Sequence, residues 1–112
     1  MNILHDLIVQ TLLPLDIELG FMEYQGNAKE YIIFSIYNES ESNFCDDMNL
    51  SDTYYIQVNY WFKSLQNITK YEQIKNILKN NGFYCKNSTD LKDGEFYGKS
   101  MDFIYVKFRE EK

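Results

Sequence analysis

Few residues in this chain have the types and spacing that catalysis requires. Its single histidine, His5, stands between Leu4 and Asp6 in a run with helical spacing, where a partly exposed helix position is the expectation. Neutral-pH acid-base work rests most often on histidine, so little material is left for it. Carboxylates occur in neighbouring pairs, Glu39 with Glu41 and Asp46 with Asp47. Such pairs serve acid-base or metal chemistry when their surroundings hold them in unlike states; in a polar, acidic stretch they are expected to be solvated. No spacing matches a calcium loop, which needs a glycine at its sixth position and a closing glutamate. Cys45 and Cys85 form no CxxC pair and have only His5 as a nitrogen companion, so reduced structural cysteines are expected rather than a zinc site. The glycines at 20, 26, 82, 94 and 98 never reach a phosphate-cradling spacing. No catalytic residue, cofactor or metal is therefore expected, the chain is not expected to be an enzyme, and function is sought in surfaces.

Length and composition set the frame for those surfaces. A chain of 112 residues suits one domain, and at this size folding buries roughly two-thirds of the surface that the unfolded chain exposes. An apolar fraction of 45% with five glycines and one proline indicates a globular chain, because burial can offset chain entropy. Ten of the nineteen aromatic rings are tyrosine, whose apolar body and wet hydroxyl suit a sheet face or an interface. The net charge of −6 argues against nucleic-acid binding, which needs clustered lysine and arginine. Tyr55 and Trp61 resemble base-stacking platforms, but no basic, glycine-containing RNA-binding string accompanies them.

Charge is unevenly placed. Residues 1–52 hold ten acidic side chains against Lys29 alone, a balance of −9, whereas residues 53–112 hold ten basic against seven acidic, a balance of +3. A solvated acidic loop accounts for this, and so does head-to-tail contact between copies. The apolar N-terminus, MNILHDLIVQTLLPL, lacks a basic leader and a cleavage site and is too short to span a bilayer, so an intracellular protein without a membrane partner is expected.

The elements follow from periodicity. Asn2 is placed to cap a helix in which Ile3, Leu4, Leu7, Ile8, Thr11 and Leu12 form one stripe, ending near residue 13 because Pro14 disfavours helical geometry at Leu13. Leu15, Ile17, Leu19 and Phe21 alternate as a half-buried strand weakened by Gly20, and Gln25-Gly26-Asn27 supplies a turn. Tyr31–Asn38 is a β-branched and aromatic run with Ile32, Phe34 and Ile36 on one face and Tyr31, Ile33, Ser35 and Tyr37 on the other, both at least partly covered. Tyr54, Ile56, Val58, Tyr60 and Phe62 form the core face of a long strand, opposite Tyr55, Gln57, Asn59, Trp61 and Lys63. Thr69 and Glu72 have the form of a capping box, Tyr71, Ile74, Ile77 and Leu78 make the helical stripe, and Gly82-Phe83 reads as its stop. A strand starts at Phe83, Asp93-Gly94 turns, Ser88–Ser100 is irregular, and Met101–Phe108 closes the sheet. The result is a single α+β domain over residues 1–112. Its order is α-β-β-β-α-β-β, with about four to five mainly antiparallel strands and two helices on one face.

Between the second and third strands lies the stretch Glu39–Asp52, acidic and polar, too long for a tight hairpin turn. Unstructured loops of this length in compact domains usually bind something. Here Glu39, Glu41, Asp46 and Asp47 supply charge, and Phe44, Met48 and Leu50 are the apolar anchors. A second reading is a strand extension that folds back on the sheet through Phe44 and Met48.

The strings EYIIFSIYNE, CDDMNLSD before YYIQVNYWFK, and YEQIKNILKNNGF, in this order of elements, resemble the tail-completion or tail-terminator proteins of long-tailed bacteriophages and prophages, including those of Gram-positive hosts. The likeness covers most of the chain, and best Glu30 to Phe83. It implies a structural protein that forms a ring, commonly of six copies. Such a ring docks on the head-proximal end of the tail tube, stops its growth and offers a surface to the head connector. Its partners would be further copies of itself, the tube protein and connector proteins; its place would be the host cytoplasm during assembly, then the virion neck. An acidic lining would let DNA pass without sticking. The rival reading is a small acidic immunity protein or inhibitor that presents carboxylates to a basic toxin or enzyme site.

Overall fold

A computed structural model describes residues 3–42 and 51–108. The elements run α1 (Ile3–Leu12), β1 (Glu18–Phe21), β2 (Glu30–Ser42), β3 (Ser51–Phe62), α2 (Lys70–Lys79), β4 (Tyr84–Asp93) and β5 (Phe96–Phe108). This is the α+β order read from the sequence, in one compact unit. The strands form one sheet in the order β1-β2-β3-β5-β4, antiparallel throughout except that β1 runs parallel to β2.

Both helices lie over one face. Leu4, Ile8 and Leu12 of α1 and Ile74 and Leu78 of α2 join Ile32, Phe34, Ile56, Val58, Tyr60, Phe62, Met101 and Phe103 in a single buried cluster. At about 100° per residue, the α1 stripe centres on Leu4, Ile8, Thr11 and Leu12. Ile3 falls off that stripe and is 73% exposed, so it does not join the buried row expected of it. The Asn2 cap lies outside the described residues.

The first strand is shorter than its alternation suggested. Leu15 belongs to a 3-10 turn, Leu13–Leu15, and Asp16 takes a left-handed φ of 58° before the chain turns into β1. A parallel neighbour so close in sequence demands a tight return, and Gly20 permits it: a Cβ there would lie 2.1 Å from the Glu23 carbonyl oxygen. The glycine that weakens β1 as a strand is the one that lets the loop fold over it. Gly20→Ala is expected to destabilise the domain by about 1–3 kcal/mol, because backbone rather than a pliable side chain stands in the way. Urea denaturation measures it.

The second helix is entered differently from the expectation. Thr69 has helical backbone angles and makes no side-chain cap, so the capping box does not form. The chain starts turning earlier, in a 3-10 segment, Leu65–Thr69, which Ser64 caps by accepting the Gln66 N–H at 3.3 Å. The helix stop forms as read: Gly82 takes φ 96°, and the Phe83 N–H donates to the Leu78 carbonyl at 3.0 Å. Phe83 itself is buried.

Ser88–Ser100, expected to be irregular, is a regular hairpin. Asp93 pairs with Phe96, and Gly94, with φ 58°, sits at the first position of the two-residue turn. Most of β4 is exposed on both faces, so its sequence carries no alternation. Its lysines and other polar groups suit a sheet edge that must not recruit other strands.

Candidate interaction surface

The sheet face away from the helices is an aromatic and polar surface. Register places Tyr31, Trp61 and Gly98 in one row, Ile33, Asn59 and Ser100 in the next, and Ser35, Gln57 and Asp102 in a third. Period-two alternation keeps all nine on this side. Most are half-buried, so this face of β2 is partly covered as expected, except at Tyr37, which is 54% exposed.

Aromatic packing organises one end of this face. Tyr24 stacks on Tyr31 with ring centroids 4.1 Å apart, and Tyr31 meets Phe96 edge-on at 5.4 Å. The Lys63 ammonium lies 5.2 Å from the Phe96 centroid, while Trp61 covers Gly98 so closely that a Cβ there would come within 2.8 Å of the indole. The Tyr24 hydroxyl donates to Glu18 and accepts the Ala28 N–H at 2.9 Å, which pins the loop between β1 and β2. Burial, with Asp93 nearby, raises the Tyr31 pKa; burial, with Asp102 and Tyr55 nearby, raises that of Tyr37. Both hydroxyls stay neutral at physiological pH.

Two polar clusters fix the scaffold behind this face. Glu30 accepts hydrogen bonds from Tyr60 and from Lys70, each at 2.7 Å, tying the start of β2 to β3 and α2. On the outer side of α2, the Tyr71 hydroxyl shares a hydrogen bond with Ser88 at 2.8 Å and accepts one from Lys75 at 3.0 Å. Desolvation alone would raise the Tyr71 pKa, but these hydrogen bonds and the charges of Lys75 and Lys99 bring it below its ordinary value. Lys99 also lies over the Tyr71 ring and pairs with Asp90 at 2.6 Å, so the cluster fastens the β4–β5 hairpin to α2. The helical spacing of Tyr71 and Lys75 was a legible signal for it.

The strands outrun the helices. Buried apolar residues on β2 stop at Phe34, those on β3 begin at Ile56, and those on β5 stop at Phe103. Beyond them β2, β3 and β5 continue, pairing Glu39 with Tyr54 and Ser42 with Ser51 on one side of β3, and Phe108 with Ser51 on the other. The molecule measures 52 × 23 × 23 Å as a result. This three-stranded arm absorbs part of the expected acidic loop: Glu39 and Glu41 are strand residues, and pairing resumes at Ser51. Strand pairing therefore covers 39–42 and 51–52, and the fold-back through Phe44 and Met48 falls outside the described residues. Phe44, Asp46, Asp47, Met48 and Leu50 lie outside the described residues, between the two strands of the arm.

The remaining chemistry-bearing residues do not converge. His5 packs against the rings of Phe21 and Phe34 at centroid distances of 4.8 and 5.3 Å. Cys85 is half-buried, and desolvation raises its thiol pKa; Cys45 lies outside the described residues. Among the described residues no three His, Cys, Asp or Glu side chains gather at a metal position, and no helix is long and apolar enough to cross a membrane. No protein-family model matches the chain, and no curated protein matches its sequence.

Proposed function

We propose that this chain is a phage structural assembly protein. In this reading it closes as a ring on the head-proximal end of a tail tube and joins the tail to the head. The observation that carries the reading is the three-stranded arm, which extends a sheet with one helix-free face past the core. Ring assembly needs a contact between unlike surfaces that closes, plus a rim that fits the last ring of the tube, with no bond-making step. The arm and the aromatic face offer two such surfaces on one small domain. Of the strings that resemble tail-completion proteins, two run through β2 and β3, which help to build both surfaces, and the third through α2 on the opposite face.

Charge supplies the complementarity. The acidic residues Glu39, Glu41, Asp46 and Asp47 belong to the arm and the segment at its end, while Lys75, Lys79, Lys86, Lys92 and Lys99 stand on α2 and the β4–β5 hairpin. Phe44, Met48 and Leu50 serve in this reading as apolar anchors on a neighbouring copy or the tube, and the carboxylates keep passing DNA from sticking. Replacing Asp46 and Asp47 with lysine is expected to lower the ring's mass in solution, more at low salt than at high salt, where charges are screened. Native mass spectrometry reads the result. Unchanged rings at both salt concentrations remove the charge argument, and a monomer that binds a toxin tightly one-to-one favours an inhibitor instead.

A further inference from the structure

At the end of the sheet away from the arm, on the helix side, lies an open pocket of about 380 Å³. Its floor is Phe62 and Tyr97, register partners across β3 and β5 whose rings stack at a centroid distance of 6.0 Å. Its wall is the 3-10 segment Leu65–Thr69, which holds Leu65 and Ile68 in the pocket's mouth, 56% and 42% exposed, rather than in the core. Large aliphatic side chains left in water around a concave apolar floor suit a partner's apolar side chain.

The rim adds charge. Lys92 lies over the Tyr97 ring and donates to the Gly94 carbonyl, and among the described residues it pairs with no carboxylate. Lys99 lines the same pocket, paired with Asp90. Residues 63–99, which supply most of the pocket and its surroundings, hold seven lysines against four acidic side chains. The occupant that fits is an apolar side chain with carboxylates beside it.

The chain itself carries such a stretch. Residues 43–50 read NFCDDMNL, with Phe44 and Met48 on either side of Asp46 and Asp47, and no basic residue occurs from 39 to 52. The segment leaves β2 at Ser42 and returns to β3 at Ser51, residues that pair directly. Anchored at both ends, eight residues extend at most about 16 Å out and back. The steps of β3 from Ser51 to Phe62 span about 36 Å, so the pocket is beyond that reach. Segment and pocket stand toward opposite ends of the 52 Å long axis, and only another copy's segment can fill the pocket. A contact between unlike ends leaves every copy one segment to give and one pocket to offer, as a repeating joint needs.

We propose that the acidic segment 43–50 of one copy docks in the pocket between Leu65, Ile68 and Tyr97 of the next, with Phe44 against the apolar wall and Asp46 and Asp47 at the Lys92 rim. This contact rests on the ring reading, for which it supplies the joint. The test is disulfide trapping between full-length chains, with the native Cys45 as the probe within the segment. One chain carries Cys85→Ser alone; the other carries Cys45→Ser, Cys85→Ser and Leu65→Cys. Under oxidising conditions the mixture is expected to give a mixed dimer on a non-reducing gel, at least about tenfold above either chain alone. It should equally exceed a mixture in which Met22→Cys, exposed beside the opposite edge strand, replaces Leu65→Cys. Ile68→Glu in the second chain, at a position exposed enough for the fold to tolerate it, is expected to reduce the mixed dimer about tenfold. Lys92→Glu is expected to reduce it about threefold, and Asp46→Lys with Asp47→Lys in the first chain to restore it. Equal trapping at Leu65→Cys and Met22→Cys, or indifference to Ile68→Glu, overturns the contact. Rings lost on Ile68→Glu without any mixed dimer assign the pocket to another stretch of the neighbour and overturn it too. Rings of unchanged mass formed by Ile68→Glu chains overturn the contact and leave the ring reading standing. Mixed dimers with no closed oligomer support the contact and count against the ring.

Discussion

Phe103→Ala is expected to destabilise the domain by about 3–5 kcal/mol, as truncation of a fully buried aromatic ring does. A chain of this size has roughly 5–15 kcal/mol to lose. Phe103 is 0% exposed, pairs with Ile56 on one side and Cys85 on the other, and meets Phe83 edge-on at a centroid distance of 6.5 Å. Its removal opens a cavity where β5 and the chain leaving α2 pack together. With a urea slope of about 2 kcal/mol per molar, the midpoint should fall by about 2 M. Phe108→Ala gives the contrast. That ring stands in the arm, 71% exposed, so its loss should move monomer stability by less than about 0.5 kcal/mol and act on assembly instead. Equal midpoint shifts for the two variants would refute the division into core and arm.

Loss of the Glu30 carboxylate is expected to have the next largest effect. Glu30→Ala takes the carboxylate from the Lys70 ammonium and leaves the Tyr60 hydroxyl only its long hydrogen bond to the Asn67 carbonyl, at 3.4 Å, at a cost of about 1–3 kcal/mol. The lower part of that range is favoured because Lys70 is partly exposed and screened by water. A pH dependence accompanies it. Desolvation works to raise the Glu30 pKa, but the Lys70 and Tyr60 hydrogen bonds outweigh it and hold the carboxyl below its ordinary value. A folded-state pKa below the unfolded one gives stability that is fully present above the unfolded value, near 4.5. That contribution is lost as pH falls through the lower, folded value. Wild-type stability should therefore decline more steeply than that of Glu30→Gln as the solution is acidified below that point, with the two curves parallel at neutral pH. Parallel curves throughout would mean that the carboxylate's charge contributes nothing.

What the sequence disclosed depends on whether a residue's surroundings leave a periodic mark. The faces of β3 and the stripe of α2 were legible because each buries one side against the same core: Ile56, Val58, Tyr60 and Phe62, or Ile74 and Leu78. Of β4 only the start was, as the strand read from Phe83; its remainder is an edge exposed on both faces and has no pattern to offer. The first four residues of the expected loop, Glu39–Ser42, are paired strand for the same reason: past the core, backbone pairing persists without apolar alternation. The true start of the second helical segment was present as Ser64, but Thr69 with Glu72 offered the more familiar spacing. Of the candidate site, the acidic residues and the aromatic face were visible in composition and alternation. The pocket between Leu65, Ile68 and Tyr97 was not, because it is defined by which strands lie beside the 3-10 segment, and strand order is not written in local sequence.

The proposal that this protein ends a tail tube is tested most directly by electron microscopy of a tail-tube protein from the same source, polymerised with and without this chain. Predicted is a cap of extra density at one tube end and a halt in lengthening once the chain is added, both diminished by deletion of Phe44–Leu50. Tubes that keep growing at an unchanged rate, with bare ends and the chain left in solution, would contradict it.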